Sequence, residues 1–275
     1  MKLNNILERE YEQVEEKKIE ELNCNNARTE ELDILIKLYE TWLQNTERWE
    51  NYSNYYSDAI DLFCKAPLTD ISDLTLKDIT LFSLGLEHYE SNVHFEATGF
   101  FISAVINYHH EQTKTKGIYT LFTKDLTKKV DGIGYHNSAN IEIIGDVGNR
   151  IAWYMDGGRL SIKGNVLSFC CKNLRNGTVI IEGNASRRFC LNMSGGNVFL
   201  KGSAEDFACE DMEAGIVVIE KNVLDKACRG MRGGNVTIKG NAGEEFAEEM
   251  QSGTIYLGGD YESLGENSNG RIKGI

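Results

Sequence analysis

The 275-residue chain is 41% hydrophobic and 26% charged, carries a formal net charge of −13 and has a single proline, a composition that fits one or two globular domains. The negative balance disfavours nucleic acid and anionic membrane as partners, because both reward basic surfaces. No apolar run of about 18 residues, signal peptide or lipidation motif occurs, and seven cysteines, mostly inside a repeat, fit reduced thiols, so the expected location is cytoplasmic.

Residues 1–64 are rich in Glu, Lys, Leu and Asn without glycine and predict two helices, over 3–23 and 29–64, broken at Asn25-Asn26. Thr29 suits the N-cap of the second, and Glu30, Glu31 and Asp33 put negative charge in its first turn, where the helix dipole favours it. Leu32 stands where a capping box needs Glu or Gln. Leu35, Tyr39, Trp42, Trp49, Tyr52 and Tyr56, mostly three, four or seven apart, form an aromatic stripe, read as packing against the chain's own core ahead of a subunit interface. Pro67 ends this hairpin, and Thr75-Leu76-Lys77-Asp78 opens a helix reaching about Tyr89. The apolar segment from Glu96 to Asn107 fits either a buried helix or a strand and suits capping the first coil of the C-terminal repeats. Nearby stand His88, His94, His109 and His110, among Glu87, Glu90, Glu96 and Glu111. Imidazole and carboxylate together can hold a divalent metal. No HxxxH or HxH pair exists, however, and His109 and His110 point apart, so these four are weak metal candidates and polar surface at a helix end is the preferred reading.

Residues 117–144 return to short strands, with Ile141 and Ile143 in phase with Leu160 and Ile162. From Gly145 to Gly259 the chain then repeats every 19 residues without insertion or deletion, the mark of stacked solenoid coils. Positions sixteen and eighteen of each unit are apolar, from Leu160/Ile162 to Ile255/Leu257, which buries one face of one short strand per coil. Position fourteen is always glycine (Gly158, Gly177, Gly196, Gly215, Gly234, Gly253), as a turn needing positive φ requires. A second glycine opens nearly every unit, with Lys221 the exception. Met155, Leu174, Met193, Met212, Met231 and Met250 share an interior column, read as core filling and not as a metal box. Position nineteen alternates Lys163, Glu182, Lys201, Glu220, Lys239, which attracts in register and repels after a one-coil slip.

Cys171, Cys190, Cys209 and Cys228 occupy one column, flanked by Ala152 and Ala247. Thiols in a file about 4.8 Å apart cannot converge on one tetrahedral metal. The alanines at both ends mark a small, buried, apolar position, so structural packing is favoured over redox or metal chemistry. Cys170 faces the other way if the segment is extended.

The pattern G-N-A-G-x-x-x-A/C-x-x-M-x-G-G-x-V-x-I-x-G, over about 140–265, resembles the GXGXG domain, the right-handed β-helix of the glutamate synthase large subunit and of one of the subunits of formylmethanofuran dehydrogenase. Such families often carry glycine at the cysteine column. The expected fold is therefore mainly β: a right-handed parallel β-helix of about seven 19-residue coils over 116–275, behind an α-helical region over 1–115. In those enzymes the helix looks like a non-catalytic support, and neighbouring domains or subunits supply the glutaminase, flavin, iron-sulfur or metallopterin chemistry. No active-site residue carries over, because Lys2 follows Met1, Cys24 and Cys64 lie in helical sequence, and no cluster-binding cysteine spacing occurs.

The expected function is a non-catalytic scaffold or accessory subunit, a homo-oligomer or a protein partner in an enzyme complex, without cofactor. The alternative is a structural subunit of an oxidoreductase complex resembling the two named enzymes. A carbohydrate-active β-helix would need Asp, Arg and aromatic residues grouped on one lateral face, and position twelve (Asp156, Arg175, Ser194, Glu213, Arg232, Gln251) shows no such grouping. Arg150, Arg187-Arg188 and Lys226 fall in the same or adjacent columns as a modest anion-binding strip, for which a solvated edge is the preferred account.

Overall fold

A computed structural model describes residues 29–46, 53–65 and 73–275. The helix expected over 3–23, its break at Asn25-Asn26, and Cys24, Trp49, Tyr52 and Pro67 lie outside the described residues.

Helix α1 (Glu30–Asn45) begins at Thr29, whose Oγ1 accepts the Leu32 N–H at 3.1 Å and donates to Asp78 Oδ1 at 2.6 Å. Leu32, Leu35, Tyr39, Trp42 and Leu43 bury one face of it at helical spacing. The periodicity predicts one helix over 29–64, but α1 stops at Thr46. This β-branched residue takes an extended conformation, and both its N–H and its hydroxyl turn back to Trp42 O. Helix α2 (Ser53–Lys65) follows, and the Trp42 indole N–H donates to Tyr55 O at 3.2 Å. Helix α3 (Leu76–Leu84) carries a capping box, Thr75 with Asp78, and also ends earlier than expected: beyond Gly85 the chain tightens to a 3₁₀ turn over Leu86–Tyr89. The segment compatible with helix or strand is helix α4 (Thr98–Thr113), buried throughout from Thr98 to Asn107 as a central helix must be, and exposed only in its last turn.

Nine strands follow: β1 (Ile118–Phe122), β2 (Asn140–Ile144), β3 (Arg159–Lys163), β4 (Thr178–Ile181), β5 (Asn197–Leu200), β6 (Ile216–Ile219), β7 (Asn235–Ile238), β8 (Thr254–Leu257) and β9 (Arg271–Gly274). They form one parallel sheet in chain order, a β-solenoid of about eight turns against the seven expected. The first turn is irregular, with Ile118 pairing with Asn140. From β2 to β8 each residue pairs with the one nineteen further on, as Leu160 with Val179 and Val179 with Val198. The last turn is shorter, Thr254 pairing with Arg271. A second line of parallel bridges runs through position three, Val166 to Ala185 to Ala204 to Val223, and passes the Lys221 corner in register.

The helices close the first coil. The Phe122 N–H donates to Ser83 Oγ of α3 at 3.1 Å. Ser103 Oγ of α4 donates to Gly99 O and accepts the Gly134 N–H at 2.9 Å. Gly99 is required where it stands, since a Cβ there would lie 2.2 Å from Asp131 O. The buried core consequently runs without a break from Leu32 in α1 to Leu257 in β8.

Candidate functional site

Inside the coils the columns behave as a stack. The glycines at position fourteen have φ between 68° and 101°, and a Cβ on Gly158 would meet Ala139 O at 2.2 Å. Met155, Leu174, Met193, Met212, Met231 and Met250 are fully buried. So are Cys171, Cys190, Cys209 and Cys228, whose backbone is left-handed, with φ of 59° to 61°; Ala152 and Ala247 match at 56° and 57°. L-residues visit this region at a cost, so the glycine that resembling families carry here has a backbone reason as well as a packing one.

Cys170 does not face away from Cys171. Both are buried, their sulfurs 3.7 Å apart, because the chain turns a corner here and is not extended. Five described thiols therefore lie in the interior, and burial pushes Cys170 and Cys190 well above the ordinary thiol range. Those two protonated thiols are poor nucleophiles and poor metal ligands, whereas Cys171, despite its burial, is lowered by hydrogen bonds with Cys170 and Cys190, and Cys209 is lowered by hydrogen bonds with Cys190 and Cys228.

Outside, polar columns are satisfied along the stack. In the position-nineteen column Lys201 meets Glu182 at 2.9 Å and Lys239 meets Glu220 at 3.1 Å, while Lys163 also reaches Glu142 of another column at 3.0 Å. Position two carries an amide ladder that a reading of charges and apolar columns overlooks: the Asn165 N–H donates to Asp146 Oδ1, the Asn184 N–H to Asn165 Oδ1 and the Ser203 N–H to Asn184 Oδ1, all at 2.8–2.9 Å. The Asn recurring after the opening glycine was its sequence signal.

The expected scatter of the lateral face does not hold for the first four repeat units, where basic and aromatic side chains group. Position six reads Arg150, Phe169, Arg188, Phe207, and the guanidiniums lie over the rings, with Arg150 5.5 Å from the Phe169 centroid and Arg188 at 5.8 Å from Phe169 and 5.4 Å from Phe207. Lys172 Nζ lies 5.5 Å from the centroids of both Trp153 and Phe169. Burial, and then the charges of Arg150 and Arg188, hold its amine below the usual lysine range. Trp153 and Tyr154 continue the group to His136, which stacks on Tyr154 at 5.4 Å. The Arg/Phe alternation of position six was its sequence signal, and single-column inspection missed only that Lys172, Trp153 and Tyr154 join it from other columns. Of the strip residues named from sequence, Arg187 pairs with Asp206 at 3.3 Å and Lys226 with Glu245 at 2.8 Å, so both charges are answered within the stack.

The four histidines are not brought together into a ligand set. His109 is buried in α4, with Nδ1 2.7 Å from Tyr119 OH and Nε2 2.8 Å from Leu74 O, fastening the helix to β1. His88 is exposed beside Glu87 at 3.6 Å, His94 is half-buried near the Tyr55 ring, and His110 is half-buried at the last turn of α4. Among the described residues no three His, Cys, Asp or Glu side chains are placed to hold a metal ion, and no helix is long and apolar enough to cross a membrane.

One buried carboxyl sits at the junction of helices and coils. Asp131 accepts the Asn149 N–H at 2.6 Å and lies 3.7 Å from Arg150, yet burial pushes its pKa up to about 6.

Comparison with curated proteins gave no match. The profile of the GXGXG motif family matches residues 103–273, from within α4 to β9, and so begins earlier than the repeat itself. The resemblance to the glutamate synthase and formylmethanofuran dehydrogenase helices is consistent with that match. With well over half its length covered and the repeat folded as a β-solenoid, the chain belongs to the GXGXG motif family.

Proposed function

We propose that the protein is a non-catalytic β-helix scaffold or accessory subunit that supports assembly, with itself as an oligomer or with enzyme partners. The observation that carries this reading is the destination of the outward polar groups. Lys201 goes to Glu182, Arg229 to Glu248, and the Asn184 N–H to Asn165, each on a neighbouring coil. Side chains committed to the next rung stiffen a rod, whereas a catalytic site needs groups converging on one reacting centre. Family membership supports the narrower form of the proposal, a structural subunit of a cytoplasmic oxidoreductase complex whose glutaminase, flavin or metallopterin chemistry resides in other polypeptides.

The test is gentle affinity purification of the tagged protein from its host, followed by mass spectrometry of the retained proteins. Stoichiometric recovery of an amidotransferase, flavoprotein or metallopterin protein supports the enzyme-subunit form. Recovery of the chain alone as a defined oligomer supports self-assembly. Turnover of glutamine or reduction of an electron acceptor by the purified chain alone, at enzyme-like rates, would sink the proposal.

A further inference from the structure

Lys172 differs from the other cations of the lateral face. Position nine holds Trp153, Lys172, Leu191, Glu210, Arg229 and Glu248 in successive coils. In the later coils this column neutralises itself, Arg229 lying 3.5 Å from Glu210 and 2.9 Å from Glu248. Lys172 instead has an indole on one side and a leucine on the other, and it makes no ion pair among the described residues. It is half-buried, its amine faces two aromatic rings, and it shares the Phe169 ring with two guanidiniums from the coils before and after. All three groups are donors without acceptor capacity, and the nearby Trp153 indole N–H is buried with no partner of its own.

We propose that Lys172, flanked by Arg150 and Arg188, forms an oxyanion site on the lateral face that takes a phosphate-type group. Lys172 supplies the direct contact, because its amine is unpaired. Arg150 and Arg188 are engaged with carboxylates, Asp131 at 3.7 Å and Glu210 at 3.3 Å, and they flank Lys172 with positive charge. The geometry favours a tetrahedral anion over a carboxylate. A carboxylate offers two coplanar oxygens and matches one arginine fork. The cations here come from three successive coils about 4.8 Å apart, so oxygens diverging in several directions are needed to meet them together. In a protein of net charge −13, three cations gather around one ring here, and of the three Lys172 has no carboxylate paired to it among the described residues.

The site stands independently of the scaffold reading and is tested on the isolated full chain. Inorganic phosphate is titrated at constant ionic strength and followed by ³¹P NMR line width and tryptophan fluorescence. The expected result is saturable one-to-one binding with a dissociation constant of about 1 mM or tighter, weakened at least about tenfold by Lys172→Met. Lys201→Met, which removes the same charge from the exposed ladder, leaves the affinity unchanged. Acetate competes far less well than phosphate. Absence of saturation, equal binding by Lys172→Met and the parent chain, or equal competition by acetate overturns the proposal. Should Lys172→Met fail to fold, Arg188→Gln is read by the same criterion.

Discussion

A cysteine at φ near 60° is an uncommon choice, and the fold makes it in four successive coils. The position must be small enough for the coil interior and must also accept left-handed backbone, two demands that valine meets unequally. Cys209→Val preserves apolar character and approximate volume, so packing alone would tolerate it. A β-branched side chain in the left-handed region is expected to cost about 2 kcal/mol or more, whereas Cys209→Ala should cost only about 1 kcal/mol. Urea denaturation of the two variants separates these cases, and equal losses would remove the backbone argument. Gly158→Ala is harsher, because a φ of 68° combines with a Cβ 2.2 Å from Ala139 O; a loss of about 2–4 kcal/mol is expected in the same measurement. The smallness of the cysteine column was legible in its flanking alanines. Its left-handed backbone was not, since nothing about a cysteine announces φ.

Between residues and the whole lie the joints where helices meet coils, and there charge and solvation decide. Asp131 is buried under α4 with Asn149 and Arg150 as partners and Glu96 adding like charge, and its carboxyl titrates near 6 in the folded protein. Between about pH 4 and 6 the unfolded chain has lost a proton that the folded chain still holds, so this residue makes stability fall as pH rises through that window and level off above it. Asp131→Asn should abolish the local slope and raise stability at pH 7 relative to pH 4 by at most about 3 kcal/mol. Denaturant midpoints at the two pH values decide it, and an unchanged pH dependence would show that Asp131 is not responsible. The Lys/Glu ladder is a contrasting element. Its pairs Lys201–Glu182 and Lys239–Glu220 form in the predicted phase, but each is about half exposed and worth at most ~1 kcal/mol, so they select register more than they add stability.

At the scale of the molecule, helices and coils share one continuous core, with Phe101 of α4 fully buried against Tyr39 and Trp42 of α1. Cap and solenoid should therefore unfold together. Phe101→Ala, about 3–5 kcal/mol destabilising, is expected to shift a single calorimetric transition downward without splitting it. Two separable transitions would mean that the helical region is an independent domain.

The division between what was legible and what was not reflects the range of the interactions. The parallel solenoid, its nineteen-residue register, the inward columns and the position-fourteen turns were determined by the sequence, because each coil repeats the environment of the last and a column of letters is already a column of neighbours. Tertiary structure alone decided the end of α1 at Thr46, the helical state of 98–113, the sealing of the first coil by Ser83, Ser103 and His109, and the approach of Lys172 to the position-six column. Those outcomes depend on contacts between elements that do not repeat, or between different columns of adjacent coils, and such contacts leave no period in the chain to read.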